Sequence, residues 1–160
     1  MKKIYIMIVL ILMSSQLVGQ NNNQLNDMIV ESLRSYISYS AELQKKVCAS
    51  CEEDDTYICK DGLPSNFPYN SLPNATFFSV NFFKTYSNPL KKQLKKGIGT
   101  LFVSFELNNN QLKIMVTSRT VKIMNKTTIG TDCCEWGIYF YEYFCDKQEW
   151  VLKESKYGGI

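Results

Sequence analysis

Two cysteines separated by two residues, Cys48 and Cys51, have the spacing of a thiol–disulfide oxidoreductase motif. Catalytic motifs of this kind lie at the start of a helix, where the helix dipole stabilises the thiolate. Here a predicted helix ends just before Cys48, and the acidic run from Glu52 to Asp55 follows Cys51. Both features disfavour a thiolate, so the pattern favours structural bridges. The acidic run also lacks the alternating spacing of a calcium loop.

The segment from Trp136 to Cys145 is unusually rich in aromatic residues. Alternate residues of a strand share a face, so three tyrosines lie on one face and Glu142 lies among apolar side chains on the other. An exposed aromatic row can bind a glycan or a protein partner. A central strand with cross-strand aromatic pairs would bury the same residues. The candidate ligand-binding residues are Tyr139, Tyr141, Tyr143 and Glu142.

Catalysis would depend on carboxylates and tyrosines, because the chain has no histidine. This absence removes the commonest general base and the commonest metal ligand. Glu142 has apolar neighbours of the same strand parity, and Glu106 on another predicted strand could join it as the carboxylate pair of a carbohydrate hydrolase. No nucleophile–base combination is recognisable. The sequence therefore favours a non-catalytic protein and predicts neither a metal nor a cofactor.

Four lysines surround two leucines on a short helix, which is predicted to begin after Asn88-Pro89 and to end at Gly97. Leucines four positions apart face inward together, which places the lysines on the flanks and on the outer side. Such a row can contact an anionic surface or serve as the solvated side of a helix. The four residues are Lys91, Lys92, Lys95 and Lys96.

The N-terminus has the three parts of a secretory signal: Lys2 and Lys3, the apolar run from Ile4 to Met13, and a small polar stretch that ends at Gly19. The apolar run is shorter than the ~20 residues that a spanning helix needs. We expect cleavage after Gly19 and export to the periplasm or the extracellular space, with no membrane attachment afterwards. Residues 20 to 160 then form a single domain.

The chain has six cysteines, and an oxidising destination makes them candidates for disulfides. They fall into two groups of three, so complete pairing requires at least one bridge between the groups. Spacing alone does not choose the connectivity. The first group is Cys48, Cys51 and Cys59, and the second is Cys133, Cys134 and Cys145.

The formal net charge of the whole chain is +3, and the signal segment supplies two of these charges through Lys2 and Lys3. A nearly neutral mature protein has no general field for attracting nucleic acid. We therefore predict no nucleic-acid partner.

Apolar residues at three- and four-residue steps predict a long amphipathic helix over about 24–46. The segment from Val47 to Asn74 is irregular, apart from a short strand over 56–59, and we attribute its order to its cysteines. Alternation then predicts strands over 76–86, 99–107, 112–123, 136–145 and 149–156, with a bulge near 118–120 and a loop over 126–134. The predicted fold class is α+β: one long N-terminal helix packed on an antiparallel, curved sheet of four to six strands, with a disulfide-stapled loop region.

These features predict an exported, non-catalytic domain that binds a glycan, a small ligand or a protein partner. The binding surface would be the aromatic sheet face or the stapled 47–74 segment. Two alternatives stay open. One is a hydrolase that acts on carbohydrate with carboxylates and tyrosines, and the other is an exported inhibitor or immunity-type protein.

Overall fold

The computed structural model describes residues 2–47, 55–80, 90–124 and 129–159, without the side chains of residues 2–22, Cys133 and Cys134. The α+β class is confirmed, because one long helix accompanies an open sheet of six described strands. In chain order the helices and strands are α1 Lys2–Val47, β1 Thr56–Cys59, β2 Ala75–Phe78, α2 Lys91–Lys96, β3 Ile98–Asn108, β4 Gln111–Ile123, β5 Ile129–Phe144 and β6 Glu149–Gly159.

The described strands lie in the order β2-β1-β3-β4-β5-β6. From β3 to β6 the sheet is antiparallel, and Asn109 and Gln148 each have a φ of 53° in the tight turns that join these strands. The expectation of a wholly antiparallel sheet is wrong at the other edge, where β1 runs parallel to both β2 and β3. Long connections separate β1 from these neighbours, and only such connections allow parallel pairing.

Helix α1 runs without interruption from Lys2 to Val47, so the polar residues 20–23 do not delay its start to residue 24 as predicted. A single glycine inside a helix costs only ~1 kcal/mol relative to alanine, which does not break a helix of this length. The predicted apolar stripe lies on the sheet. Ile29, Leu33 and Tyr36 are fully buried in a core that they share with β3, β4 and β5.

Strand β4 changes its buried face half way along its length. Ile114 and Val116 are buried beneath α1, whereas Val121, of opposite parity, is buried on the other side of the sheet. The pairing of β3 with β4 is uninterrupted, so no bulge between them causes this change. Instead, one face of the sheet is covered at one end of β4 and the opposite face at the other end. Helix α2 packs against β4 and covers the second face at this end.

The predicted bulge lies at the predicted place, because the register of β4 against β5 shifts between Ser118 and Arg119. Arg119 pairs with Cys133, whereas Ser118 pairs two residues further on, so Cys134 of β5 is the extra residue. The loop predicted over 126–134 is wrong from Ile129 onward, where β5 already pairs with β4. Cross-strand hydrogen bonds hold this segment, although its sequence does not alternate. Residues 125–128 lie outside the described residues.

Aromatic packing orders the irregular segment between β1 and β2. The rings of Phe67, Tyr69 and Phe77 contact one another with centroids 4.9 to 6.0 Å apart, and Phe67 is only 3% exposed. From α1, Asn26 Nδ2 donates to the carbonyl oxygen of Asn66 at 3.2 Å. A hydrophobic core therefore contributes to the order of this segment, whereas Cys48 and Cys51, to which we also attributed it, lie outside the described residues. Strand β2 covers only the first part of the predicted 76–86 strand, and residues 81–86 lie outside the description.

Candidate binding surface

The two faces of the sheet differ in what covers them. The inner face lies under α1 and includes Ile114, Val116 and Tyr139. The outer face is the opposite one, and the strand register brings its residues side by side across β3 to β6. Its main residues are Phe102, Glu106, Lys113, Met115, Arg119, Trp136, Ile138, Phe140, Glu142, Phe144, Lys153 and Lys156.

The predicted tyrosine row lies on the inner face. Tyr139 is 0% and Tyr141 is 2% exposed, so neither ring is available to a ligand at the surface. This corrects the prediction for these two residues. Tyr143, further along β5, stays half-buried, and its ring centroid is 5.2 Å from that of Trp150.

Gly137 is the sequence signal that could have identified the covered face. It shares strand parity with Tyr139, and a Cβ built on it would lie 2.8 Å from Cδ2 of Tyr36 on α1. A glycine inside a strand often marks the close approach of another element. The face that contains Gly137 is therefore the one on which the helix packs.

Tyr141 is fixed by polar contacts to α1. Its hydroxyl lies 3.2 Å from Ser32 Oγ and 3.3 Å from both the carbonyl oxygen of Met28 and Glu31 Oε2, each of which can accept its single proton. Ser32 Oγ itself donates to the Met28 carbonyl oxygen at 2.8 Å. A buried hydroxyl with these partners anchors the helix to the sheet. Its role is structural.

Tyr139 lies deeper, between α1 and β6. Its ring meets that of Tyr157 edge-on, with centroids 5.9 Å apart, and Tyr157 stacks on Tyr39 at 4.2 Å. The Tyr157 hydroxyl shares a 2.8 Å hydrogen bond with Ser35 Oγ. By contrast, the buried Tyr139 hydroxyl finds no hydrogen bond of normal geometry among the described residues.

Alkaline titration should distinguish the buried tyrosines from the others. Burial is the main cause that raises the pKa of Tyr139 and of Tyr141 above the ordinary value of 10.0. Because the folded pKa exceeds the unfolded one, the stability that these residues contribute is complete below pH 10 and declines as the pH rises above it. In an ultraviolet absorbance titration of the ten tyrosines, Tyr139 and Tyr141 should ionise only as the protein unfolds. Ionisation of all ten before any loss of circular dichroism would contradict this.

Glu142 lies on the outer face and has cationic and amide partners. Its Oε2 is 3.7 Å from Lys153 Nζ, and its Oε1 accepts from Asn110 Nδ2 at 3.4 Å. Glu106 is on the same face, but β4 lies between their strands, and Lys113 Nζ is 4.0 Å from Glu106 Oε2. Two strand spacings put the backbones about 10 Å apart. Each carboxylate is thus paired with a lysine of its own.

Cys59 and Cys145 form no disulfide with a cysteine whose side chain the structure describes, and the fold keeps the two apart. Cys59 is buried on β1, where burial raises the pKa of its thiol, whereas Cys145 is exposed just after β5. Strands β3 and β4 lie between β1 and β5, which separates their backbones by at least ~14 Å. A disulfide requires Cα atoms closer than ~7 Å. These two cysteines therefore cannot pair with each other.

Strand β5 also separates members of the second cysteine group. Cys133 lies near its start and Cys145 directly follows its end, about 36 Å away along an extended strand. Cys145 therefore cannot bridge to Cys133 or to its neighbour Cys134. Cys48 and Cys51, the two other cysteines of the first group, lie outside the described residues.

The centre of the outer face carries half-exposed aromatic rings. The Trp136 ring lies against the backbone of β6, where a Cβ built on Gly158 would be 2.5 Å from Trp136 Cζ2. Cations lie over two phenylalanines: Lys153 Nζ is 4.4 Å from the ring centroid of Phe144, and Lys156 Nζ is 5.3 Å from that of Phe140. None of these residues belongs to the core beneath α1.

Two further members of the outer face, Phe102 and Arg119, escaped the sequence analysis. The guanidinium carbon of Arg119 lies 5.5 Å from the Phe102 ring centroid. The sequence signal that could have identified this pair is an arginine in the middle of a strand. Arg119 lies only two residues before Val121, which is buried. The outer face thus combines aromatic, aliphatic and cationic side chains on one open surface.

Two open hollows lie along the solvent side of α1. They measure about 420 and 390 Å³ and share Arg34, Ser38 and Ser71 as lining residues. Arg34 already donates to the Ser71 carbonyl oxygen at 2.7 Å, so its main charge-bearing group is engaged within the protein. These hollows form a groove of mixed polar and apolar lining that adjoins the 60–74 segment.

No protein-family model, curated protein or solved structure matches this chain. Within the part of the chain that the structure describes, no helix has the length and apolarity needed to cross a membrane. The described Asp, Glu and Cys side chains form no group of three or more that could hold a metal ion. The functional assignment therefore rests on the chemistry of the surface.

Proposed function

We propose that this chain is an exported, non-catalytic binding protein that holds a protein partner against the outer face of its sheet. The observation that carries the proposal is the composition of that face. Aromatic residues, methionine and arginine are enriched at protein interfaces, and Phe102, Met115, Arg119, Trp136 and Phe140 supply all three kinds on neighbouring strands.

The geometry of the outer face supports a partner with a broad, flat surface. The centre of the face spans β3 to β6, and its described aromatic residues do not belong to the core under α1. Trp136 packs closely against Gly158, so little side-chain freedom would be lost when a partner covers it. The buried Tyr139 and Tyr141 have no part in this surface.

Export is the second element of the proposal. It is supported by the basic start, the apolar run from Ile4 to Met13 and the small residues up to Gly19. An oxidising destination would also permit a bridge between the two cysteine groups, which we propose as a staple of the 47–74 segment. That bridge cannot be Cys59–Cys145 for the reasons given above.

Site-specific photo-crosslinking in the cells that naturally make the protein tests this proposal. A photoreactive residue at Met115 or Ile138 on the outer face should form a discrete protein adduct. The same residue at the exposed Glu42 of α1 is the matched control and should form none. Trp136→Ala should reduce the Met115 adduct several-fold, because it removes a central aromatic anchor.

Three outcomes would contradict the proposal. They are equal adducts from both faces, no adduct from any outer-face position, and an adduct that mass spectrometry identifies as carbohydrate. The last would assign the face to a glycan.

A further inference from the structure

The basic residues of the outer face are not distributed evenly. Towards β6 the lysines have acidic partners, since Lys153 lies 3.7 Å from Glu142 and Lys156 Nζ lies 3.0 Å from Glu154 Oε2. Lys113 has Glu106 at 4.0 Å. Charge on this part of the face is therefore balanced internally.

The end of the outer face that α2 covers is different. Leu94 is fully buried, as are Thr100 and Val121, which occupy outer-face positions at this end of β3 and β4. Because Leu94 faces inward, Lys92 and the lysines that follow it face solvent. Within the described ranges, no ion pair joins the exposed Lys92, Lys95 or Lys96 to a carboxylate.

Arg119 lies between this lysine row and the aromatic centre. It pairs with Thr100 on β3, and its guanidinium lies over Phe102. Its Nε is buried and has no hydrogen-bond partner within the described part of the chain. A buried donor without an acceptor is costly, whereas a guanidinium and a carboxylate form strong paired hydrogen bonds. The Arg119 side chain as a whole is half-exposed and forms no ion pair with a described carboxylate, so its guanidinium can still donate to an incoming acidic group.

We infer that the protein partner presents an acidic peptide segment to the α2 end of the outer face. A carboxylate of that segment pairs with Arg119, and its further acidic residues lie against Lys92, Lys95 and Lys96. Apolar side chains next to the acidic run then reach Phe102 and the aromatic centre. This inference rests on the proposed function and adds the chemistry by which the partner is recognised.

Attraction of an acidic partner would depend on the cations at the α2 end of the outer face and not on the net charge of the chain. The whole chain carries only +3, and two of those charges are in the predicted signal segment, so a general attraction to polyanions is absent. A cluster of cations without carboxylate neighbours raises the association rate of an acidic partner and fixes its register on the face. The paired lysines near β6 contribute little to this effect.

A synthetic fluorescent peptide of alternating glutamate and leucine residues is the direct probe, and a lysine–leucine peptide of equal length is its control. Fluorescence anisotropy should show binding of the acidic peptide alone, with an affinity that falls as salt is added. Arg119→Gln should weaken binding about tenfold, and the triple change of Lys92, Lys95 and Lys96 to glutamine should weaken it further. Lys147→Gln removes a paired lysine in the turn before β6, outside the outer face, and should change the affinity less than twofold.

Equal binding of both peptides, or unchanged binding by Arg119→Gln and by the triple variant, would overturn the inference. The triple variant alters only exposed side chains, so it remains informative if Arg119→Gln is poorly folded. Crosslinking with the natural partner separates the two proposals. If outer-face adducts persist at full yield in both variants, the acidic segment is excluded and the proposed function stands. If all outer-face adducts are absent from the unmodified protein, both proposals fail.

Discussion

Replacement of Gly62 by alanine is expected to lower the free energy of unfolding by about 3 kcal/mol. Gly62 ends the 3₁₀ turn Lys60–Gly62 that follows β1, and a Cβ at this position would overlap the carbonyl oxygen of Val103. That oxygen belongs to the backbone of β3, which is held between β1 and β4. A side chain could rotate away from the new methyl group, but a backbone carbonyl in a central strand cannot. The turn or the strand must therefore shift.

Gly99 provides a matched control for this change. It begins the same strand β3, and a Cβ built on it has no atom within 4 Å. Gly99→Ala should therefore change the free energy of unfolding by no more than about 0.5 kcal/mol. Urea unfolding of the two variants and of the unmodified protein measures the difference. Equal stabilities for Gly62→Ala and Gly99→Ala would show that the turn Lys60–Gly62 does not lie against the Val103 carbonyl group of β3.

Truncation of Tyr139 should cost almost as much for a different reason. Tyr139→Ala removes a fully buried ring from between α1 and the sheet, and the cavity it leaves should lower the unfolding free energy by about 4 kcal/mol. Tyr139→Phe keeps the ring and removes only a hydroxyl without a normal hydrogen bond, so its cost should be less than about 1 kcal/mol. Thermal or urea unfolding of both variants gives the comparison.

Two further changes show whether the tyrosine row is core or surface. Tyr143→Ala affects a half-buried ring that packs on Trp150, and it should cost about 1 kcal/mol. Tyr141→Phe breaks the contacts to Ser32 and to the Met28 carbonyl oxygen, and it should cost more than Tyr139→Phe. If Tyr139→Ala were as stable as the unmodified protein, the tyrosine row would not be part of the core. It would then lie at the surface, where it could bind a ligand.

Elements with a strong local pattern were predicted well. Alternation over 99–107 located β3, which extends only one residue further at each end, as Ile98–Asn108. The short helix ends at Gly97, whose φ of 98° is a conformation that glycine accepts at little cost. In each case the information lies within a few residues of the feature it determines.

Features that depend on distant residues were predicted less well. Strand β1 has four residues and no alternation, and its parallel partners lie many residues away, so nothing local gives its direction. On β5 both parities are apolar, and period-two alternation cannot say which face a helix will cover. The outcome depends on Tyr36 and Ser32 of α1, more than a hundred residues earlier in the chain.

The position of α1 in the chain has a consequence for how the protein reaches its native state. The residues that cover the buried side of the helix include Tyr139, Tyr141 and Tyr157, so the helix is synthesised long before the strands it packs on. Domains usually fold as units, and contacts between distant residues form slowly because long loops must close first. The chain must therefore be nearly complete before its core can form. During this interval the apolar side of α1 stays exposed, because the strands that will cover it have not yet been made.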